Sequence, residues 1–575
     1  MKIKLLCFLV AMLMVVAALA SCNLFGDKDG DGDGSKVDPK YYWGSATIDI
    51  AAFENDNAGE LSSGIKRFYA GGTNDMQDVD KDIRARNAKA TEVTGVTANY
   101  LYEGYTSYAW GKSLDKLGNE VAVEGVGPDI FCNFVYDMTA GAIRGYFKNL
   151  YTNTSKSSST AGQGNNFFAF TKDGYTGIGN NYFDSKAGGG YFYDYMQSLS
   201  LKNANGEYDK MYVLASDYCI DLVRSFLVMP VNIDMMNITL GTNLTAEQSE
   251  YIKDRNGDGK HDFNDFYQLV WDGGFTYDAL AAYSSAVFVQ GGGDTTADDI
   301  EDTLGVAFGK SSGLTASGLL YTTDVEIIKN ANNTYAYPDD NPALAGFAEK
   351  LATLVKGDGS QNGVAVVSGV GDIANIRARF GAGNNMLFGG IAALGSLEEQ
   401  DYQKMADNGR SGFGVVCVPL YEAKANGKDA YRTLVHNLAR LPSISIQADF
   451  EQCSAYLDYV STNSADILES YYNDVLISYV NVGDAKAQNV EMLKFIRNHV
   501  NNCFEKTYED VVSSYMESTG LGNALGDRWH DKLMTAGYVY ETLSTEYAGL
   551  VGDASQPGTK AANLAYILQE WAKLK

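Results

Sequence analysis

The segment 254–265 has the residue spacing of a calcium-binding loop. It reads DRNGDGKHDFND, with side-chain oxygens at alternate positions and a glycine at the sixth position. Alternating oxygen ligands can wrap a hard cation, and the glycine permits the sharp bend that returns the chain to it. The spacing predicts a structural calcium site built from Asp254, Asn256, Asp258, the backbone carbonyl of Lys260, Asp262 and Asp265.

The alternative interpretation of this loop is a solvated acidic turn. Asp265 stands where a bidentate Glu is usual, and His261 stands where an apolar residue normally packs. In both interpretations the loop is structural, because all ligands come from one continuous segment and no reacting group lies beside it.

Sequence motifs for covalent catalysis are absent from the chain. There is no HExxH, CxxC or GxSxG, and there are only four histidines. The segment 305–311 has one residue too few between its glycines for a phosphate-binding loop, and 369–374 lacks the acidic residue that a dinucleotide site needs about 20 residues later. We therefore expect no enzymatic activity. Paired carboxylates of a glycoside hydrolase remain open, because folding and not spacing brings such pairs together.

The first 22 residues indicate export. Lys2 and Lys4 precede an apolar run from 5 to 20, which is too short for an ordinary spanning helix. The run ends in Leu-Ala-Ser-Cys, which resembles the bacterial lipobox, so we expect Cys22 to carry a lipid anchor outside the cytoplasmic membrane. An ordinary secretory signal with a chance cysteine is the alternative.

Composition limits the partners of the mature chain. A net charge of −27 and a pI of about 4.5 disfavour nucleic acid as a partner. The chain contains 39 Tyr, 25 Phe and 5 Trp, and aromatic rings beside carboxylates suit sugars. Beyond Cys22, five widely spaced cysteines predict neither a disulfide framework nor a zinc site.

Hydrophobic patterns along the chain predict alternating strands and helices. This alternation indicates an α/β protein with mostly parallel sheets, and about 535 residues after the tether exceed a single core. Strands are expected at 46–51, 95–102, 127–131, 211–215, 226–231, 364–367 and 413–418, and helices at 79–94, 114–121 and through 449–505.

Several segments together resemble the family-1-like extracellular solute-binding proteins of bacterial carbohydrate ABC transporters. The segment 266–280 (FYQLVWDGGFTYDAL) directly follows the acidic loop, as a similar segment lies close to such a loop in that family. Segments 78–87, 127–130, 412–421, 469–476 and 491–493 are also similar to family segments, in the same order. The resemblance implies a two-lobed type II periplasmic-binding-protein fold with a hinge and an interlobe cleft.

The same resemblance implies capture of a soluble mono- or oligosaccharide and its delivery to the transmembrane subunits of an ABC importer by a monomeric binding protein. A surface glycoside hydrolase and a polysaccharide-holding lipoprotein are the alternatives. The expected division of the chain is a signal peptide at 1–21, an acidic tether at 22–40, lobe 1 at 41–165, lobe 2 at 166–370, a return to lobe 1 at 371–445, and C-terminal helices mainly in lobe 2 at 446–575.

Ligand contacts are expected from aromatic and acidic residues. The segment 191–195 (YFYDY) stands where the family has Pro-Trp-Trp, and Asp217 resembles the acid of a family Gly-Asp-x-Ser turn. Asn232-Ile233 replaces an Asn-Lys pair of the family, so the family's sugar preference does not transfer to this chain. The expected ligand contacts are Trp110, Asp129, Tyr191, Phe192, Tyr193 and Asp217.

Overall fold

The computed structural model describes the greater part of the chain. The described residues are 45–52, 69–71, 78–101, 112–123, 125–151, 168, 170–171, 174–175, 190–241, 243–291, 302–309, 313–356, 362–367, 372–383, 385–398, 400–405, 411–436, 439–476, 486–500, 504–518 and 551–574. Within these ranges, none of the helices combines the length and the apolar character needed to cross a membrane. Cys22, the export segment and the tether lie outside the described residues.

Strands and helices alternate through most of the described chain. The strands are β1 (Ala46–Ala52), β2 (Val96–Leu101), β3 (Ile130–Phe134), β4 (Phe170–Thr171), β5 (Gly174–Tyr175), β6 (Leu227–Asn232), β7 (Leu304–Gly309), β8 (Lys329–Ala331), β9 (Thr334–Ala336), β10 (Val364–Val367), β11 (Met386–Phe388), β12 (Ala392–Ala393), β13 (Phe413–Val416) and β14 (Arg440–Ile444). The α/β class predicted from the sequence is confirmed.

The helices occupy the connections between these strands and most of the described C-terminal part. They are α1 (Asp78–Thr94), α2 (Lys112–Val121), α3 (Val135–Ile143), α4 (Tyr193–Ser198), α5 (Ile220–Arg224), α6 (Gln248–Tyr251), α7 (Phe263–Trp271), α8 (Tyr277–Val287), α9 (Gly313–Tyr321), α10 (Pro342–Lys356), α11 (Asp372–Ala382), α12 (Gln400–Gln403), α13 (Phe450–Thr462), α14 (Ala465–Ser470), α15 (Lys486–Asn498), α16 (Phe504–Ser518) and α17 (Lys560–Lys573). Short 3₁₀ turns lie at Leu394–Glu398 and Gly427–Ala430, and a π-helical turn at Tyr471–Leu476 follows α14.

The first sheet has the strand order β14-β3-β1-β2. Strands β1, β2 and β3 are parallel, and β14 pairs antiparallel with β3 so that Arg440 faces Phe134. Gly95 makes the tight connection from α1 to β2. Its φ of 73° suits glycine, and its N–H donates to the carbonyl of Thr91, which caps the helix.

The second sheet has the strand order β10-β7-β11-β6-β12, with β13 also paired to β6. Strands β7, β10 and β11 are parallel, while β6 runs in the opposite direction. All residues of β6, β7 and β13 are buried, as expected for strands that are covered on both faces. The chain therefore builds two separate sheets, of which the first is mostly parallel and the second is mixed.

Two chain segments run side by side between the sheets. The first leads from β3 to β6, and the second leads from β13 back to β14. They are joined by the hydrogen bonds Leu214 N–H to Pro442 O and Leu227 N–H to Leu434 O, each 2.9 Å long. More than one passage between the two halves, which the family resemblance implies, is therefore present in the described chain.

The position of the return differs from the expected division of the chain. We expected 371–445 to belong to lobe 1, but β11, β12 and β13 pair in the second sheet and only β14 joins the first. The sequence of a short apolar strand does not indicate which sheet the strand joins, because its pairing partner is determined by the tertiary arrangement.

The C-terminal helices also differ from that division. Helix α13 packs on α1, β1 and β2, and helices α16 and α17 pack on α3, the helix that follows β3 of the first sheet. Among the described C-terminal helices, α15 packs on a strand of the second sheet, β13. The apolar faces of these helices predicted that the helices would pack against the protein, but not which sheet they would pack against.

Candidate functional site

The carboxyl ends of the strands in both sheets meet at one place. In the first sheet, β3 ends at Phe134, opposite Arg440. In the second sheet, β6 begins at Leu227, at the edge toward which β7, β10 and β11 run, because β6 is antiparallel to β11. Ligands of open α/β sheets bind outside the carboxyl ends of the strands. We call the region between these two edges the junction.

A buried ionic network joins the two sheets at the junction. Asp221 in α5 accepts hydrogen bonds from Arg224 Nη1 and from Arg440 Nη1, both at 3.3 Å, and from the backbone N–H of Arg440. Arg224 also donates from Nε to Glu398 Oε1 at 2.9 Å. Burial opposes the charge on Arg224, but Glu398 and its neighbours outweigh burial and raise the pKa of Arg224. The network thus links β14 to the turn that follows β12.

Glu398 lies at the rim of this network. Its side chain keeps 19% of its surface exposed, whereas those of Asp221, Arg224 and Arg440 are buried. The hydroxyl of Tyr471, at the start of the π-helical turn, donates to Glu398 Oε1 at 2.6 Å. Arg224 Nη2 also donates to Glu398 Oε2 at 3.4 Å, so three hydrogen bonds hold this carboxylate in place at the rim.

A second buried ion pair lies beside the first. Asp217 accepts from Arg497 Nη2 with both carboxylate oxygens at 2.7 Å. The Arg497 guanidinium lies 4.6 Å from the ring centroid of Phe192, and that ring packs edge-on against Phe226, the residue before β6. Burial raises the pKa of Asp217, and the positive charge of Arg497 opposes this rise. Of the expected ligand contacts, the structure brings Phe192 and Asp217 together here.

Gly190 fixes this arrangement. Its φ is 80°, and an added Cβ would lie 2.3 Å from the carbonyl oxygen of Ser461. The carbonyl of Gly190 accepts from the N–H of Asp217 at 2.7 Å, which sets the following aromatic residues against the crossing segment. A residue with a side chain here would force the chain away from the C-terminal end of α13.

Tyr191 and Tyr193 point to two further polar groups. The Tyr191 hydroxyl donates to Asp458 Oδ1 at 2.6 Å inside the protein. The Tyr193 hydroxyl lies 2.8 Å from that of Tyr151 and accepts from Gln197 at 3.1 Å. Tyr193 is only partly buried, so it is the more accessible of the two rings.

Asp129 lies at the opposite edge of the first sheet. It precedes β3, so five strand residues at ~3.3 Å each separate it from the junction edge. Its carboxylate accepts from the backbone N–H of Asp49, and burial raises its pKa. Trp110 lies outside the described residues. Asp129 is therefore not brought together with Phe192 and Asp217.

Sequence reasoning missed most of the charged residues at the junction. These are Asp221, Arg224, Glu398, Arg440 and Arg497. A weak signal exists, since Arg224 and Arg440 interrupt otherwise apolar runs and a charge in such a run is rarely buried without a partner. The identity of each partner is not encoded locally, because Asp217 and Arg497 are 280 residues apart.

The acidic loop 254–265 is held by its own hydrogen bonds. Asp254 accepts from the backbone N–H groups of Gly257, Asp258 and Gly259 at 2.6–3.1 Å, which lower its pKa, with Gly259 contributing most. Asp265 accepts from the N–H groups of residues 255, 256 and 262, and with Asp262 it forms a capping box at the start of α7. The loop therefore also serves as a helix start.

The oxygen donors of this loop are of the type that binds calcium, but its carboxylates do not converge on one point. Among the residues that the structure describes, no group of three or more His, Cys, Asp or Glu side chains is placed to hold a metal ion. Asp254 and Asp265 each retain acceptor capacity beyond their three backbone bonds. The ring of His261 is buried, and its Nδ1 donates to the carbonyl of Lys253 at 3.0 Å. Burial lowers the pKa of His261.

Comparison with known proteins yields structural likeness at low sequence identity. No family model matches the chain, and no curated protein matches it. Similar solved structures include a family 1 extracellular solute-binding protein from Bifidobacterium longum subsp. infantis, with 13% identity, a TM-score of 0.44 and coverage of 91% of this chain and 100% of that one. The sugar-binding protein MalE from Xanthomonas citri has 11% identity and a TM-score of 0.48, covering 91% and 99%.

A cyclo/maltodextrin-binding protein complexed with maltotetraose is also similar, with 11% identity, a TM-score of 0.47 and coverage of 90% of this chain and 97% of that one. With these TM-scores below 0.5, the assignment of the fold rests on the strand order of the two sheets described above.

Proposed function

We propose that this protein captures a carbohydrate at the junction and delivers it unchanged to an ABC importer outside the cytoplasmic membrane. The observation that carries the proposal is that two separate sheets come together at one polar place, where β3 ends in the first sheet and β6 begins in the second. An aromatic ring, Phe192, and a partly exposed acid, Glu398, lie there. Aromatic faces and fixed carboxylates are suited to the two kinds of surface that a sugar ring presents.

The chain geometry suits capture by closure. The two sheets are joined by adjacent crossing segments, and such segments can act as a hinge. A sugar at the junction would contact both sheet edges only in the closed form, so its differential affinity would favour that form. Glu398 would accept a hydrogen bond from a sugar hydroxyl, and no covalent bond would change.

Isothermal titration against a panel of mono- and oligosaccharides, amino acids and peptides tests this function. We expect one sugar to bind, and we expect Glu398→Gln to weaken its affinity about tenfold, a loss of ~1.4 kcal/mol. Lys89→Ala serves as the matched control, since Lys89 lies in an exposed ion pair with Glu92. Binding of amino acids or peptides in place of sugars would contradict the proposed ligand class.

Two further measurements separate this function from its alternatives. Incubation with oligosaccharides should return them intact, whereas products formed at catalytic rates would identify a glycoside hydrolase. Small-angle scattering should show a smaller radius of gyration with the sugar present. Binding without any such decrease would favour a polysaccharide-holding lipoprotein.

The proposal includes a lipid anchor on Cys22 and a monomeric protein in contact with the permease. The sequence around Cys22 supports the anchor. Cells grown with labelled palmitate should label the wild-type protein and leave Cys22→Ser unlabelled. Labelling of the Cys22→Ser variant would contradict an anchor at this residue.

Calcium binding by the loop 254–265 is also part of the proposal. Asp254, Asn256, Asp258, Lys260, Asp262 and Asp265 supply the oxygen donors that a hard cation prefers. Calcium should raise the melting temperature of the wild type, and Asp254→Ala should abolish this rise. If Asp254→Ala lowers the melting temperature by the same amount with calcium and with excess chelator, the loop does not bind calcium.

A further inference from the structure

A cavity of about 290 Å³ lies between the beginning of α10, the turn after α9 and the segment that follows β13. Its lining includes Asp324, Pro342, Tyr421, Glu422 and Lys424. None of these residues belongs to the junction or to the acidic loop. The volume is near ~300 Å³, the lower end of small-molecule pockets.

The aromatic ring of this cavity is firmly held. Tyr421 packs against Tyr277 with the ring centroids 6.0 Å apart and against Phe347 at 5.9 Å. The ammonium of Lys350 lies 5.0 Å from the Tyr421 centroid and also pairs with Asp278. Since the ring is already ordered, binding a ligand against it costs little side-chain entropy.

The polar side of the cavity carries alternating charges that cancel. Lys424 Nζ lies 2.6 Å from Glu422 Oε1 and 3.3 Å from Asp324 Oδ2, and Arg432 Nη2 lies 2.6 Å from Asp324 Oδ1. Two acids and two bases leave no net charge to select an ionic ligand. Exposed pairs of this kind add little stability, but they hold donors and acceptors side by side.

This arrangement matches the chemistry of a hydroxyl group. A hydroxyl can donate to a carboxylate and accept from an ammonium at the same time. The adjacent threonine hydroxyls of 322 and 323 do not compete, because they donate to the carbonyls of Gly318 and Leu320. We propose that this cavity is a second carbohydrate site, which holds one or two neutral sugar rings between Tyr421 and the cluster of Asp324, Glu422 and Lys424.

Equilibrium dialysis with labelled glucose, maltose and cellobiose tests the second site. We expect Tyr421→Ala to remove one equivalent of bound sugar at saturation and Glu422→Gln to weaken that equivalent at least tenfold. Tyr566→Ala is the control, since Tyr566 is an exposed tyrosine on α17. Because Tyr421 also packs against the core, the exposed Glu422 provides the variant that should leave the melting temperature unchanged.

Failure of this site is distinguishable from failure of the proposed function. Glu398→Gln should weaken a different equivalent and leave the Tyr421-dependent one intact. If neither Tyr421→Ala nor Glu422→Gln changes the binding of any of the three sugars, the second site does not exist. If the Tyr421-dependent equivalent is found and the Glu398-dependent one is not, the second site stands and the junction loses its proposed function.

Discussion

The junction and the acidic loop both contain several charged residues, but their carboxylates are stabilised in different ways. At the junction, Asp221 and Asp217 are buried and each is matched by arginines. In the loop, Asp254 is partly exposed and accepts hydrogen bonds from backbone N–H groups a few residues away. Desolvation makes the first arrangement sensitive to losing one partner, whereas water can replace a lost bond in the second.

The difference has a structural consequence. The network that runs from Arg440 on β14 through Asp221 and Arg224 to Glu398 connects the two sheets, so it fixes how the two halves of the protein meet. The loop bonds span at most ten residues and fix only the start of α7. Substitutions in the two regions should therefore differ in size and in their dependence on solution conditions.

The largest effect is expected from Asp221→Ala. The change leaves the buried guanidinium of Arg440 without this carboxylate, and a guanidinium cannot give up its proton. We expect a loss of about 4–5 kcal/mol in the free energy of unfolding, measured by urea denaturation. Lys89→Ala should cost less than ~1 kcal/mol, and equal losses for the two variants would remove the contrast between buried and exposed pairs.

A smaller loss, about 3 kcal/mol at pH 7, is expected from Arg497→Met. The uncompensated Asp217 can take up a proton, which limits the damage. The folded-state pKa of Asp217 lies above its unfolded value. Its protonation therefore stabilises the folded protein at low pH, and this stabilisation is lost as pH rises through the folded pKa. The variant should thus regain stability between pH 7 and pH 5.

The double variant Arg497→Met with Asp217→Asn provides the control for that interpretation. It removes both charges, so the rise in stability toward pH 5 should disappear in urea denaturation curves. A rise that persists would assign the pH dependence to another group.

Within the loop, Asp265→Ala should cost about 1–2 kcal/mol even in excess chelator, because the buried capping carboxylate and its three backbone bonds are lost. Asp254→Ala should cost less under the same conditions, since water reaches its partners. Thermal denaturation of both variants with chelator measures the difference. Equal losses would show that exposure does not decide the cost here.

The smallest effect is expected from His261→Gln, which keeps a donor for the Lys253 carbonyl. Burial lowers the pKa of His261 below its ordinary value of about 6.5, so its contribution is present above that pH and is lost as pH falls. The variant should lose less stability than the wild type between pH 7 and pH 5. Parallel melting curves at the two pH values would reveal the difference.

Local sequence was sufficient for many of the elements, although the strand expected at 211–215 is not formed. The α1 pattern ends at Gly95, which the structure uses as the turn into β2. The spacing of the acidic loop predicted a calcium site, which stays a prediction, and the structure shows backbone hydrogen bonds around Asp254. Both features depend on residues within about one or two turns of each other. The alternation of strands and helices likewise predicted the α/β class.

The tertiary structure alone decided the partners across the junction. Arg440 meets Asp221 over 219 residues, and Tyr191 meets Asp458 over 267 residues. It also decided that β11 to β13 stay in the second sheet and that α16 and α17 pack on α3. Charge pairing and strand pairing depend on where distant segments lie in the folded protein. The hydrophobic periodicity of a segment does not predict its place in the tertiary structure.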